Sequence, residues 1–221
     1  MSRSKHSWPG MQTGLLVAVV IAGLGGPVEA ESAERRVVEG LLNQDSMTSF
    51  TRDVSELREI EFRDSLGAAG YANVIVRRMG DEVRERGVNT FARGVCASAC
   101  ADIFLMGQRM SLLASYTKTP TYLLIHPFFN VKTHEINYSD SDSTFKKIAS
   151  KANGKITFKF LEKTYDVKSP RGGIYIFREP FLTISGRHSV LFCDGTELFQ
   201  PRTCAPMKNL TPQALGIDIG N

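Results

Sequence analysis

Ser98 stands at the centre of Gly94-Val95-Cys96-Ala97-Ser98-Ala99-Cys100-Ala101, where small residues crowd one hydroxyl from both sides. At a turn from strand to helix, a serine so placed is exposed and faces the first amides of the helix, which is a setting for a nucleophile. The same position suits a helix cap. A capping box wants Glu or Gln three residues on, where Ala101 stands, and the pattern leaves both roles open. His126 closes the apolar run Tyr122-Leu123-Leu124-Ile125, and Pro127 directly after it limits where the imidazole can point. A histidine at a strand end is more often structural than basic, but a serine at an earlier strand end of the same sheet would make it a general base. His134 and His188 sit in polar stretches without that setting, and His6 lies in the leading segment that is expected to be removed. A third element is the turn Ser65-Leu66-Gly67-Ala68. Glycine there permits close approach, and the backbone N–H groups of such a turn can hold a developing oxyanion. The same turn also simply lets a helix pack closely on a sheet.

These three points need strands that end side by side, and the hydrophobic spacing supplies them. Glu59 to Phe62 alternates as a strand, followed by the glycine turn and then by Tyr71, Val74, Ile75, Met79 and Val83 at helical spacing, with Gly87 to end the helix. A second unit repeats the plan: strand Val88 to Ala92, turn Gly94 to Ser98, helix Ala99 to Met106 closed by Gly107. Tyr122 to Ile125 reads as a buried strand. Strands alternating with helices predict an α/β fold with a mostly parallel sheet, whose reactive groups lie at the carboxyl ends of the strands. Further on, residues from Phe145 to Tyr165 keep helical spacing across Gly154, and helix is the favoured reading although Ile156, Phe158 and Phe160 also fit a strand. Gly173 to Phe177 is a strand candidate, 187–208 a disulfide-closed hairpin, and Thr211 to Gly216 a short helix with Pro near its start and Gly past its end. Upstream, Val37, Val38, Leu41 and Leu42 have helix-like spacing and Asp45 to Asp53 has no clear period, so 31–57 reads as a helical or irregular extension before a domain at 58–221.

The chain has 221 residues, 42% of them apolar, with 27 Lys+Arg against 23 Asp+Glu, ample material for one globular core. Charges of both signs are scattered, so no nucleic-acid partner is expected. The first thirty residues carry Arg3 and Lys5, an apolar run from Leu15 to Leu24, then Gly25-Gly26-Pro27 and Val28-Glu29-Ala30. That run is too short to span a bilayer and reads as a signal peptide cleaved after Ala30, so membrane contact is expected only before cleavage. The destination is then periplasmic or secreted. An oxidising compartment favours disulfides. Four cysteines allow three pairings; the sequence-local one, Cys96 with Cys100 and Cys193 with Cys204, is the preferred expectation. Their spacings match none of the usual zinc patterns, so no metal and no cofactor are expected. Redox pairs usually have two residues between the thiols, where Cys96 and Cys100 have three.

The order of these motifs resembles the ClpP-like serine hydrolases of the ClpP/crotonase superfamily, and especially an exported bacterial branch with a Cys-x-Ser-Ala-Cys motif. The likeness is carried by Cys96-Ala97-Ser98-Ala99-Cys100, by Ile103-Phe104-Leu105-Met106-Gly107 and by Arg109, and covers roughly 58–130. It implies Ser98 as nucleophile, His126 as general base, and the N–H groups of Gly67 or Ala68 and of Ala99 as the oxyanion hole. Arg178-Glu179-Pro180-Phe181-Leu182-Thr183 resembles the segment that bears the family's acid, with Glu179 where Asp is usual; Asp166 is the second choice. The first turn also departs, since family members usually carry Ser-Pro-Gly-Gly there. The resemblance implies a peptide or small acyl substrate and a homo-oligomer. A catalytically idle binding or assembly module is the alternative expectation.

Overall fold

Two neighbouring parallel strands, β2 (Glu59–Ser65) and β3 (Asn89–Ala97), form the centre of the computed structural model, which describes residues 35–52, 57–68, 71–151 and 154–221. The signal peptide read at 1–30 lies outside the described residues. On one side β2 pairs in parallel with β1 (Arg35–Glu39). On the other side the neighbour of β3 changes halfway along: Thr90 to Arg93 pair with β4 (Met110–Leu113), and Val95 to Ala97 with β5 (Tyr122–Ile125), both parallel. Gly94 sits between the two pairings at φ 72, where a Cβ would fall 2.0 Å from the Asp64 carboxylate. That carboxylate accepts the Val95 N–H at 3.1 Å. Outward from β5 the sheet turns antiparallel through β6 (Gly173–Thr183), β7 (Gly186–Cys193) and β8 (Ala205–Pro206), while β9 (Ile217–Ile219) adds to β4. The result is a mixed α/β fold, parallel where the motifs lie.

Period-two alternation decides which face is greasy. Ile60 and Phe62 of β2, Ala92 of β3, Leu112 of β4 and Leu123 and Ile125 of β5 enter one core. Helix α2 (Ala72–Arg86) adds Ile75, Val76, Met79 and Val83, and α3 (Ala99–Phe104) is buried throughout. Helix α4 (Tyr138–Lys151) adds Phe145 and Ile148. On the other face of β2, Glu61 is held by Arg35, Arg63 and Arg93 at 3.3, 2.7 and 3.0 Å. A smaller cluster of Tyr175, Phe177 and Leu191 lies farther along, with the Cys193–Cys204 disulfide.

Several boundaries differ from the sequence reading. Val37 and Val38 lie in a strand, because parallel pairing with β2 and the Arg35–Glu59 ion pair outweigh their helix-like spacing. The stretch without a period contains helix α1 (Gln44–Arg52), started by Asn43, whose side chain accepts the Ser46 N–H at 2.8 Å. The described residues 35–52 are tied to the rest by the pairing of β1 with β2, and Ala33–Asn221 is one compact unit. The helical spacing of 145–165 is divided between α4, which begins earlier, and α5 (Phe158–Glu162), capped by the Thr157 hydroxyl. The final short helix is a single 3-10 turn, Gln213–Leu215, ended by Gly216.

Candidate active site

Ser98 belongs to two elements at once. Its N–H donates to the Leu124 carbonyl of β5 at 2.9 Å, and its own carbonyl accepts the Asp102 N–H at 3.1 Å, opening α3. Strand must become helix within one residue, and Ser98 takes φ 56, ψ −127 to do so. That is a sparsely populated region for any residue with a side chain. Its side chain makes no capping bond to α3, so the structure gives it no role as a helix cap. The disulfide Cys96–Cys100 closes over this turn, and Cys96 lies opposite both Ser65 of β2 and Leu123 of β5.

That register sets the level of the site. Ala97 is opposite Leu124, so His126 emerges two residues beyond, at the carboxyl end of the strand next to Ser98. The half-buried His126 places Nδ1 2.8 Å from the Pro127 carbonyl oxygen. A carbonyl only accepts, so Nδ1 carries the proton and Nε2 is left as the ring's acceptor. Removal from water lowers the His126 pKa, and the Pro127 bond opposes this only in part. The ring is therefore neutral at neutral pH, the form a general base requires. Ser98 and His126 make no hydrogen bond to each other here; such contacts commonly tighten once substrate is bound.

Gly67 lies directly against the serine. A Cβ on Gly67, which has φ +98, would sit 2.7 Å from Ser98 Cβ and 3.2 Å from its Oγ. The Gly67 carbonyl accepts the Leu42 N–H at 2.7 Å. In a planar trans peptide the next N–H points the opposite way, so the Ala68 N–H is aimed away from Leu42 and toward the side on which β3 lies. Ala99 is the first residue of α3, and its N–H has no partner within the helix.

Glu179 is not brought to this site. It lies on β6, which runs antiparallel to β5 with Ile174 opposite Ile125 and Phe177 opposite Tyr122. Glu179 thus falls past the amino end of β5, about 20 Å from His126 at roughly 3.4 Å per residue. It is exposed and paired with Arg178. Asp166 is exposed too, 2.6 Å from the Lys163 ammonium. Backbone register, invisible in a local segment, separates Glu179 from the histidine. The Pro127 carbonyl occupies the position at Nδ1 where an acid was expected, and only the His-Pro dipeptide signalled it.

Two features escaped the sequence reading. Asp102 is buried in α3, with Oδ1 lacking a partner, and desolvation raises its carboxyl to about 8. A cleft of about 500 Å³ includes Phe129, Ile136, Tyr138, Val167 and Lys168 in its lining. The Phe129 ring, 5.7 Å from that of His126, joins the cleft to the site. Around the glycine turn, Leu66 and Tyr71 are largely exposed. The cysteines are all paired, Cys96 with Cys100 and Cys193 with Cys204. Cys193, Glu197 and Cys204 gather within ligand distance, but the disulfide leaves no thiolate there to bind a metal. Disulfides are compatible with an oxidising, extracellular location. Among the described residues no helix is long and apolar enough to cross a membrane.

No protein-family model matches the chain, and no curated protein matches it. Among solved structures, the ClpP protease catalytic domain from Plasmodium falciparum is similar, with a TM-score of 0.46 and 15% identity over 65% of this chain and 76% of that one.

Proposed function

We propose that the protein is an exported serine hydrolase of the ClpP-like kind, acting on peptide or small acyl substrates after cleavage of the signal peptide near Ala30. The observation that carries this reading is the conformation of Ser98. A non-glycine residue at φ 56, ψ −127 is set between a strand and a helix, with Gly67 pressed against its hydroxyl. Strain of this kind is retained where the side chain has work to do.

In the reaction, Ser98 Oγ bonds to the acyl carbon while His126 Nε2 takes the hydroxyl proton. The carbonyl oxygen becomes an oxyanion held by the N–H groups of Ala68 and Ala99, each worth about 10²–10³ in rate if placed as in other oxyanion holes. The tetrahedral intermediate collapses, the bond to the leaving group breaks, and His126 returns its proton to that group. Water then repeats the sequence on the acyl-enzyme. The Pro127 carbonyl holds His126 in the tautomer with Nε2 free, the orienting part that a carboxylate plays in a triad. A carbonyl stabilises the resulting imidazolium less than a carboxylate would, so the expected turnover is slow.

The test is to mix the protein with an activated p-nitrophenyl ester, quench early and map the adduct by peptide mass spectrometry. Acylation of the peptide carrying Ser98 is expected, and its absence under conditions where the ester is stable would defeat the proposal. A second reading, an idle binding module, draws on one observation: neither of the candidate carboxylates, Glu179 or Asp166, has a hydrogen bond to His126. That reading predicts no adduct.

A further inference from the structure

We infer that Cys96 and Cys100 are positioning residues for Ser98, and that the site is set only when they are oxidised to the disulfide. The inference rests on the hydrolase reading above. Cys96 is locked in the ladder between Ser65 and Leu123, and Cys100 is the second residue of α3. Both are fully buried. Only Ala97, Ser98 and Ala99 lie between them, and the middle one carries the strained backbone. An L residue leaves such a conformation unless its surroundings over-determine it. The hydrogen bonds of Ser98 to Leu124 and Asp102 fix where the turn begins and ends, while Ala97 and Ala99 brace it with no more than a buried methyl each. The bridge supplies that brace, tying strand to helix across the serine. In the dithiol protein Ser98 relaxes, its hydroxyl leaves its place beside Gly67, and reactivity is lost.

The consequence is a site that stays silent in a reducing compartment and is armed by export. Arming needs a disulfide-bearing oxidant: two cysteine thiols and one oxidant disulfide exchange to give the Cys96–Cys100 bridge and two oxidant thiols, with electrons and protons balanced. Glutathione disulfide serves as that oxidant in the test.

The molecule contains its own control, because the Cys193–Cys204 bridge closes a wider loop and on chain entropy contributes more stability than Cys96–Cys100. The full chain is expressed with export, and Cys96→Ala/Cys100→Ala is compared with Cys193→Ala/Cys204→Ala. The readouts are the rate of fluorophosphonate labelling, its pH profile and the melting temperature. Labelling is expected to slow at least about tenfold in the first double variant and to stay within about twofold in the second, whatever their melting temperatures, because a misplaced nucleophile loses rate directly. The pH midpoint stays put in both, since His126 is untouched. Cys193→Ala/Cys204→Ala protein refolded in dithiothreitol labels slowly, and regains its rate when refolded with glutathione disulfide. Wild-type labelling rates in Cys96→Ala/Cys100→Ala, or equal rates in dithiol and disulfide protein, would overturn the inference while leaving the hydrolase reading intact. If wild type itself does not label, the hydrolase reading falls and the crystal structure of Cys96→Ala/Cys100→Ala decides the backbone claim: a Ser98 that moves to negative φ supports it, and one that keeps φ near 56 ends it.

Discussion

The burial of Asp102 in α3 makes the stability of the fold depend on pH. The residue is 2% exposed, and burial alone pushes its carboxyl from 3.8 to about 8. In the unfolded chain the same group ionises near 3.8. Between these values the folded protein keeps a proton that the unfolded chain has released, so stability falls as pH rises. The slope is about 1.4 kcal/mol per pH unit, or roughly 3 kcal/mol between pH 5 and pH 7, flattening above pH 8. For a chain of this length that is a fall in melting temperature of about 5–10 °C. Asp102→Asn keeps the shape and removes the titration. His126 acts with the opposite sign, since its folded pKa is lowered and stability is lost as pH drops below 6.5. Both proteins share that effect, and it cancels in their difference. Urea unfolding of wild type and Asp102→Asn at pH 5, 6, 7 and 8 should show the difference moving by about 3 kcal/mol in favour of the variant from pH 5 to 7. Two curves that run parallel would refute the reasoning.

Three further outcomes follow from the geometry. Gly67→Ala places a Cβ 2.7 Å from Ser98 Cβ at a positive φ; it should cost about 2 kcal/mol in chemical denaturation and slow fluorophosphonate labelling at least tenfold, and unchanged labelling would remove Gly67 from the site. Glu179→Gln should leave the labelling rate within about twofold, since β6 carries it to the far end of β5; a tenfold loss would restore it as the acid. Ser98→Gly should raise stability by about 1 kcal/mol, the backbone strain released exceeding the extra entropy of glycine, and a lower melting temperature than wild type would contradict the strain argument.

How much of this was legible beforehand depends on whether the signal was local. The helix from Ala72 to Arg86 and its end at Gly87 follow from spacing and one glycine. The change from strand to helix at Ser98 is marked by the small residues that flank it, although Gly94 to Ala97, which read as part of the turn, continue β3, and the local cysteine pairing matches short separations. Pairing between distant strands was not legible. Val37 and Val38 became a strand because β2 was there to bond them, and the chain gives no local mark of that partner. Glu179 is placed by resemblance of its segment, whereas the antiparallel register, with Ile174 opposite Ile125 and Phe177 opposite Tyr122, carries it away from His126. Asp102 carries no local mark, because one acid in an apolar helix looks like a surface residue until the packing on both sides is known.

The central claim is that Ser98 is an activated nucleophile served by His126. Labelling of the folded protein with a fluorophosphonate probe, beside Ser98→Ala and His126→Ala, tests it most directly. One probe per chain is expected on the wild type, none on Ser98→Ala and background labelling of His126→Ala, with a wild-type rate whose half-maximum lies below pH 6.5, following the lowered pKa of the histidine. A folded wild-type protein that takes up no probe, or a Ser98→Ala variant that still labels, would contradict it.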